Sequence, residues 1–497
     1  MNSTKYKEVV KFKYNLTPSQ LSVLNIPNKN IIPVKNFLDR KLEFSDKGNE
    51  VGSANYVYKS NYYFIRAKAL QEDYFLPLMS SEAVITIRPQ VFKNFNLKEG
   101  DLIISKDSNI GEIVILDKNY PNFTISGALY KLPITKNKFY LFAFLKHRYF
   151  REQLDLLVPK GSTIRHAKTL FLNCKIPFSN QKNADEVIKY VELLTRSIIQ
   201  KEKEIRKKNQ LIFDLVEQEL LKNQQGNESR NENLKFNELL SNLRFDANYH
   251  CCDYKQKQFL ISNYIAGAES IEKWGFKIKR GESLAVYQIG KSIYSNEFKN
   301  NFYILIKATN FSEFGTIKKL EYLGTSKKLS FLKPGDILIS STGTVGKCVL
   351  FNEPKGNWII NYNSVILRKE NYSIRESAFV SCFFRFLKHW GILDYISAGG
   401  QGGSLAKKWE TILIPKFPQL KQEEISLLYH NSTKNYPRNL NIEKFLEEDQ
   451  EWNSKVGVLE LDKSIKSQKK HLNKILDTII NDEKVKIDFI FLNREKK

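Results

Sequence analysis

A glycine-containing segment at residues 341–348, STGTVGKC, has nearly the composition of a phosphate-binding loop. That loop needs a first glycine for a tight turn and a final hydroxyl group that binds Mg²⁺. Ser341 stands at the first glycine position and Cys348 at the hydroxyl position. In a similar segment, residues 106–112, Glu112 takes the place of the lysine. The spacing therefore argues against a nucleotide-binding site.

Two further clusters also lack the spacing that their chemistry requires. Residues 398–404 read AGGQGGS, but LAKK follows them instead of a dinucleotide-binding strand-to-helix turn. His250, Cys251 and Cys252 have no second ligand pair at metal-binding distance in the sequence. The five cysteines form no C-x-x-C pair, which favours a reducing, cytoplasmic location. No HExxH or G-x-S-x-G motif is present, so the sequence favours a protein that is not an enzyme.

The chain contains the same sequence pattern twice. Residues 97–116 read LKEGDLIISKDSNIGEIVIL, and residues 332–351, 235 positions later, read LKPGDILISSTGTVGKCVLF. A repeat of this length predicts two copies of a whole domain. Matching positions include Gly100 and Gly335, Asp101 and Asp336, Ile104 and Ile339, Ser105 and Ser340, Gly111 and Gly346, and later Ile176-Pro177 and Ile414-Pro415.

The repeated block predicts the elements that position its polar residues. Residues 332–336 form a turn, Ile337–Ser340 an apolar strand, and 345–351 a second strand after a polar loop. Helical patterns occur near 139–156 and 378–386. Each copy is therefore a mixed α/β domain with an irregular β core, of the α/β (α+β) class, and each is long enough for its own core. We place the domains at 1–182 and 229–418.

A helical pattern follows the Ile-Pro step in each copy. Apolar residues recur every seven positions with charged residues beside them, which is typical of coiled-coil helices. Lys201 and Lys208 at the same seam weaken its middle. An amphipathic helix lying on one domain is the alternative. We expect helical regions at 183–228, which ends in a polar linker, and at 419–497, with the seam residues Val191, Ile198, Ile205, Ile212, Val458, Ile465, Leu472 and Ile479.

The positive charge lies on the two globular copies. The net charge is +24, of which residues 1–182 contribute +13 and residues 229–418 contribute +11, while 183–222 are neutral. Two basic domains joined by a neutral helix fit a nucleic-acid duplex. A Lys-rich genome is the alternative cause, but it would not explain the uneven distribution. The sequence has no run of eighteen apolar residues that would predict a membrane span.

Polar residues in the repeated loops are the candidates for DNA contact. Hydroxyl, amide and cationic side chains on turns between strands can reach phosphates and base edges. The glycines themselves are expected to serve the turns. The candidate nucleic-acid-binding residues are Ser105, Lys106, Ser108, Asn109, Ser162 and Arg165 in the first copy, and Ser341, Thr342, Thr344, Lys347, Gln401, Ser404 and Lys407 in the second.

These segments resemble the specificity (S) subunits of type I restriction–modification systems. The likeness lies in GDLIISKDSNIGEIVIL and GDILISSTGTVGKCVLF, in GSTIRHAKTLFLNCKIPF, and in GGSLAKKWETILIPKFPQLKQEEI. The last run is similar to the family's strand that ends in Pro-x-Pro before a helix with Gln, here Pro415, Pro418 and Gln422. The first copy has Ser179 in place of the second proline. One departure is an interruption of the last helical region around Pro437, which predicts a late start or a kink.

The resemblance implies two target-recognition domains separated by two long helices that pack antiparallel, with an internal pseudo-two-fold repeat. It implies a non-catalytic subunit that reads an asymmetric bipartite DNA target. Two methyltransferase subunits would dock on its helices, with the seam residues as the candidate interface, and endonuclease/translocase subunits would join them. S-adenosylmethionine, ATP and Mg²⁺ would be used by those other subunits. A DNA-binding adaptor of another defence complex and a nuclease with an unrecognised site are the alternatives.

Overall fold

The computed structural model describes residues 26–158, 167–226, 246–247, 249–397, 409–437 and 440–489. These residues form two compact units. The first lies within residues 1–204, 435–454 and 461–497, and the second within residues 205–434 and 455–460. The predicted boundaries treat the helical regions as separate segments, whereas the compact units each include part of them. No helix in the described ranges is long and apolar enough to cross a bilayer.

The described residues of the first unit form three small sheets. Their orders are β3-β2-β6, β5-β4-β7 and β1-β8, and β2 pairs with β6 in parallel. Ile65, Ile103, Val114, Ile125 and Leu129 are buried together in one core. The strands are β1 Ile31–Pro33, β2 Tyr63–Ile65, β3 Val84–Thr86, β4 Leu102–Ser105, β5 Ile113–Ile115, β6 Phe123–Ile125, β7 Leu129–Leu132 and β8 Lys175–Pro177.

The second unit repeats this arrangement and extends it. Its sheets have the orders β11-β13-β12-β16, β10-β17-β14-β15 and β18-β9. β12 and β16 are parallel, as β2 and β6 are, while β10 and β11 are additional edge strands. The strands are β9 Ala268–Ser270, β10 Lys277–Arg280, β11 Ile293–Ser295, β12 Tyr303–Ile306, β13 Glu321–Gly324, β14 Ile337–Ser340, β15 Cys348–Leu350, β16 Trp358–Ile360, β17 Ser364–Arg368 and β18 Leu413–Pro415. The duplicated mixed α/β fold is therefore confirmed.

The described helices include one of 39 residues. The helix predicted near 139–156 is instead two helices, because the backbone is extended at His147. In the second unit Gly391, with φ of 77°, makes the equivalent break. The helices are α1 Lys138–Lys146, α2 Arg148–Leu157, α3 Ala184–Lys222, α4 Cys252–Ser262, α5 Val286–Ile289, α6 Ile374–His389, α7 Ile392–Ile396, α8 Gln419–Tyr429, α9 Phe445–Lys455 and α10 Val458–Ile480.

The interruption near Pro437 is present. α8 ends at Tyr429, the backbone is extended at His430, and Pro437 lies in irregular structure before α9. The last long helix, α10, begins only at Val458. A proline lacks the amide hydrogen and the space that a helix interior requires, so no regular helix can run through residue 437. Of the two predicted possibilities, the late start is the one observed.

Within the first unit α3 and α10 run antiparallel. The side chain of Gln181 donates to the carbonyl of Glu483, Tyr190 bonds to His471 at 2.9 Å, and the hydroxyl oxygen of Ser197 lies 3.0 Å from the side-chain oxygen of Gln468. The partner numbers fall as the numbers in α3 rise, which defines the antiparallel direction. This confirms the direction implied by the resemblance.

The heptad residues are covered within the chain itself. Val191, Ile198, Ile205, Ile212, Val458, Ile465, Leu472 and Ile479 are all at most 5% exposed. These side chains therefore have almost no surface left for a second subunit. The subunit interface assigned to them is better sought on the exposed faces of the helices, and it stays a prediction.

Candidate nucleic-acid interface

The repeated block folds into the same hairpin in both units. The amide of Gly100 donates to the carbonyl of Leu116 at 2.9 Å, and that of Gly335 donates to Phe351 at 2.9 Å. In each hairpin an aspartate closes the turn before the first strand. Asp101 accepts from the amide of Lys98 and Asp336 from that of Lys333, both at 2.8 Å. The sequence repeat is thus a repeat of individual hydrogen bonds.

Gly111 and Gly346 close these hairpins at equivalent places. Their φ angles are 79° and 87°, a region that favours glycine. A Cβ atom on Gly111 would overlap the side chain of Leu154, and one on Gly346 would overlap Leu393. Both the backbone conformation and the packing against the following helix require glycine here. These glycines therefore belong to the scaffold.

In the first hairpin the candidate residues divide into buried and exposed positions. Ser105 is fully buried, and its hydroxyl donates to the carbonyl of Asp107 at 2.8 Å. Lys106 forms an ion pair with the carboxylate of Asp107. Ser108, with φ of 63°, and Asn109 are exposed. The exposed pair is therefore the part of this loop that can meet a ligand without rearrangement.

The second hairpin shows the same division. The hydroxyl of Ser341 is nearly buried and donates to the carbonyl of Asn363 at 3.0 Å, and Thr342 also faces Asn363. Lys347 pairs with Glu313 at 2.6 Å, and Thr344 is exposed. DNA contact by the loop residues stays a prediction, best placed on Ser108, Asn109 and Thr344. Ser162, Arg165, Gln401, Ser404 and Lys407 lie outside the described residues.

A buried lysine anchors the first hairpin through hydrogen bonds and contacts with a carboxylate. Lys146 donates to the carbonyls of Gln71 at 2.9 Å and Ile113 at 3.3 Å, and lies 3.9 Å from Glu112. Arg151 completes the group with an ion pair to Glu112 at 2.5 Å. Burial lowers the pKa of Lys146 to about 8, and Glu112 opposes that shift. The group fixes the base of the loop to α1 and α2.

A second polar group lies at the seam of the helices in the first unit. Lys201 and Asp449 are fully buried and form an ion pair. Ser197 donates to Asp449 at 2.8 Å, Asn453 donates to it at 3.0 Å, and the hydroxyl of Tyr436 also donates to it. The sequence located Lys201 at the seam but gave no sign of its partner, which is 248 residues away. Polar groups at a seam fix register at a cost in stability.

Exposed aromatic residues are candidate functional residues that sequence reasoning missed. Tyr58, Tyr287 and Phe298 are 102%, 85% and 67% exposed. With 24 tyrosines and 33 phenylalanines in the chain, composition alone cannot separate an exposed ring from a core ring. Their position in the chain could have distinguished them. All three lie in the segment before the first strand of a parallel pair, which is 51–62 before β2 and 284–302 before β12.

Metal-binding chemistry finds no support among the described residues. No group of three or more His, Cys, Asp or Glu side chains there could hold a metal ion. Cys174, Cys348 and Cys382 are buried, and burial raises the pKa of each thiol to about 12. Thiols with such pKa values are poor nucleophiles.

Comparison with known proteins finds no matching family model and no matching curated protein. Solved S subunits are similar to this chain. The type I restriction–modification S subunit from M. genitalium has 13% identity and a TM-score of 0.33, over 94% of this chain and 99% of that one. The HsdS subunit from Thermoanaerobacter tengcongensis has 13% identity and a TM-score of 0.26, over 91% and 96%.

A third similar structure concerns complex assembly and conformational transition of the type I R-M system. It has 11% identity and a TM-score of 0.28, over 92% of this chain and 99% of that one. These TM-scores describe a loose superposition, so no residue of this chain takes its role from these structures.

Proposed function

We propose that this chain is the DNA-recognition (S) subunit of a type I restriction–modification complex. The observation that carries the proposal is the duplicated basic domain, in which one hairpin is built twice from the same hydrogen bonds. The excess charge of +13 and +11 lies on residues 1–182 and 229–418. Two similar basic surfaces fit two sites on one polyanion.

The two copies share a scaffold but differ in the residues that they expose. At matching exposed positions of the loops, Ser108 and Asn109 stand where the second copy has Gly343 and Thr344. Different side chains in the same frame would read different bases. The target would therefore consist of two unlike half-sites with an unread gap between them.

The helix α3 would set that gap. Its 39 residues span about 58 Å at 1.5 Å per residue. It follows the first domain in sequence and precedes the second. Half-sites about one helical turn of DNA apart, roughly 34–36 Å, suit a spacer of this length.

The chain would bind DNA and leave the chemistry to partners. Two methyltransferase subunits would dock on exposed faces of the long helices, where Lys189 and Arg196 lie on α3. Endonuclease/translocase subunits would complete the complex. S-adenosylmethionine, ATP and Mg²⁺ would act in those subunits.

Methylome sequencing tests this proposal. The chain would be expressed with the methyltransferase subunit encoded beside it, in a host without other methyltransferases. We expect methylation at one asymmetric motif with two defined halves and a fixed gap. The methyltransferase subunit expressed alone is the control and should leave the DNA unmodified. A motif without a gap, or no motif, would contradict the proposal.

A further inference from the structure

Each unit has an apolar sheet face that extends from the buried core to the surface, at equivalent strands of the two units. In the first, Tyr63 on β2 lies opposite Phe123 on β6 and Thr86 on β3. In the second, Ile304 on β12 lies opposite Trp358 on β16 and Tyr322 on β13. Two residues further along the same face, Ile65 and Ile306 are buried at no more than 1% exposure. We call the outer part of this face the aromatic face.

The backbone confirms that the two faces are equivalent. The amide of Tyr63 donates to the carbonyl of Asn122 at 2.9 Å, and that of Ile304 donates to Asn357 at 2.8 Å. In both cases the acceptor is the residue just before the partner strand. Equivalent backbone positions therefore carry Tyr, Phe and Thr in the first unit and Ile, Trp and Tyr in the second.

In the first unit the aromatic face borders an open cavity of about 540 Å³. Tyr63 and Phe123 stack there, with ring centroids 4.7 Å apart. Tyr58 lines the cavity and is fully exposed, and Met79 beside it is 37% exposed. Exposed apolar side chains grouped around an open cavity make this face a candidate place for a partner to bind.

In the second unit the face is wider because β11 extends it. Phe298 packs edge-on against Tyr322, with ring centroids 5.7 Å apart. Ile293 on β11 lies opposite Gly324, and a Cβ atom on that glycine would touch the ring of Phe302. Ile293 is 62% exposed. This edge of the sheet is therefore an uncovered apolar surface.

Cations lie beside both faces, and none of them has a carboxylate partner within the described ranges. Lys59 and Arg88 are exposed and lie close in sequence to Tyr58 and Thr86, and neither forms an ion pair with a described residue. In the second unit Lys299 lies 5.6 Å from the ring centroid of Phe302. Thr325 donates to the carbonyl of Ile289 at 2.8 Å, which brings exposed Lys291 and Lys327 to the same edge. Apolar rings flanked by exposed cations suit a polyanion with apolar groups, which is the chemistry of a DNA groove.

We propose that the aromatic faces contact the bases of the two half-sites, and that their different side chains make the half-sites differ. This inference rests on the proposed function. Aromatic and aliphatic groups would pack against thymine methyl groups, and the hydroxyl of Tyr58 would bond to a base edge. The flanking cations would hold the phosphates on either side. The hairpin loops would add polar contacts.

Single substitutions at exposed rings test the inference in the complex with the methyltransferase subunits. Tyr58→Ala should weaken binding to the target roughly tenfold and relax the bases of one half-site, while Phe298→Ala should relax the other. Tyr58→Phe should retain most of the affinity, because the ring remains. Leu420→Ala is the control, since Leu420 is 82% exposed but lies on α8.

The outcomes separate the two proposals. A wild-type complex that modifies a bipartite motif, with variants that keep its affinity and both half-sites, would overturn the inference and leave the proposed function intact. A wild-type complex without a motif would overturn both. A third outcome would show that the face binds protein and not DNA. In that case the variants would assemble poorly with the methyltransferase subunit, while the fraction that does assemble would keep both half-sites. Relaxation of a single half-site in each variant supports the inference.

Discussion

Glu202 on α3 and Lys469 on α10 form an ion pair at 2.8 Å within the first unit. The same carboxylate accepts the backbone amides of Phe75 and Leu76, the latter at 3.0 Å, and Lys469 donates to the carbonyl of Asp73 at 2.6 Å. One acid and one base thus attach the loop at 73–76 to both helices. Glu202 is only 6% exposed, so these bonds are protected from water.

Removing this carboxylate should destabilise the protein. Glu202→Ala leaves two buried amides without an acceptor and Lys469 without its partner, so we expect a loss of about 3 kcal/mol in the free energy of unfolding. Urea unfolding followed by circular dichroism measures it. Glu192→Ala on the same helix is the matched control, because Glu192 is partly exposed. Equal losses in the two variants would contradict the role given to Glu202.

The buried pair of Lys201 and Asp449 predicts strong coupling between two substitutions. Asp449→Ala leaves a buried ammonium group without a carboxylate and should cost about 3–5 kcal/mol. Lys201→Leu in the same chain removes that charge and should recover more than about 1 kcal/mol of the loss. A double-mutant cycle on urea midpoints measures the coupling. Additive effects would show that the two side chains do not stabilise one another.

Lys146 predicts a rise in stability at high pH. Burial lowers its pKa from the ordinary value of 10.5 to about 8 in the folded protein. Between these values the unfolded chain binds more protons, so the free energy of unfolding rises with pH, by about 3 kcal/mol between pH 8 and pH 10.5. Below pH 8 both states are protonated, and this group adds no slope. Measured by urea unfolding across this range, Lys146→Met should reduce the slope without abolishing it, because burial also lowers the pKa of Lys201 to about 8, whereas the exposed Lys189→Met should leave the slope unchanged.

Local features were predictable from the sequence. Each hairpin depends on a glycine at positive φ and on an aspartate whose carboxylate accepts from the backbone amide three residues before it, so the repeated residues located both turns. Pro437 likewise located the break in the distal helices. In these cases the cause of the structure lies within a few residues of its effect.

Long-range features were not predictable. Glu202 meets Phe75 across 127 positions, and no local pattern links them. Ser105 is the last residue of a short strand that is buried along its whole length, so alternation could not reveal that its hydroxyl points inward. Tyr58 and Tyr140 are the same residue type, yet one is fully exposed and the other fully buried. Packing between distant segments decides such cases.

The spacer role of α3 predicts that the gap depends on its length. Deleting residues 203–209 removes one heptad, about 10.5 Å of helix, and keeps the phase of the seam. We expect the gap in the methylated motif to change by about three base pairs, with both half-sites unchanged. Methylome sequencing of the deletion variant reads both quantities. Altered half-sites with an unaltered gap would contradict the spacer role.

Binding of the complex to its target should depend steeply on salt. Each phosphate that a lysine or arginine neutralises releases counterions, so the logarithm of the affinity falls with the logarithm of salt concentration by about 0.9 for each contact. Lys59 and Lys299 lie beside the aromatic faces, and Lys59→Ala or Lys299→Ala should each lower the slope by about one. Lys484→Ala should leave the slope unchanged, because Lys484 is exposed and lies outside both the two basic domains and the long helices. Fluorescence anisotropy at a series of salt concentrations, on a target and a scrambled duplex, measures the slope. Substitution of either lysine should affect binding to both duplexes alike, because phosphates carry no sequence information. A nearly flat slope for the wild-type complex would contradict the charge argument.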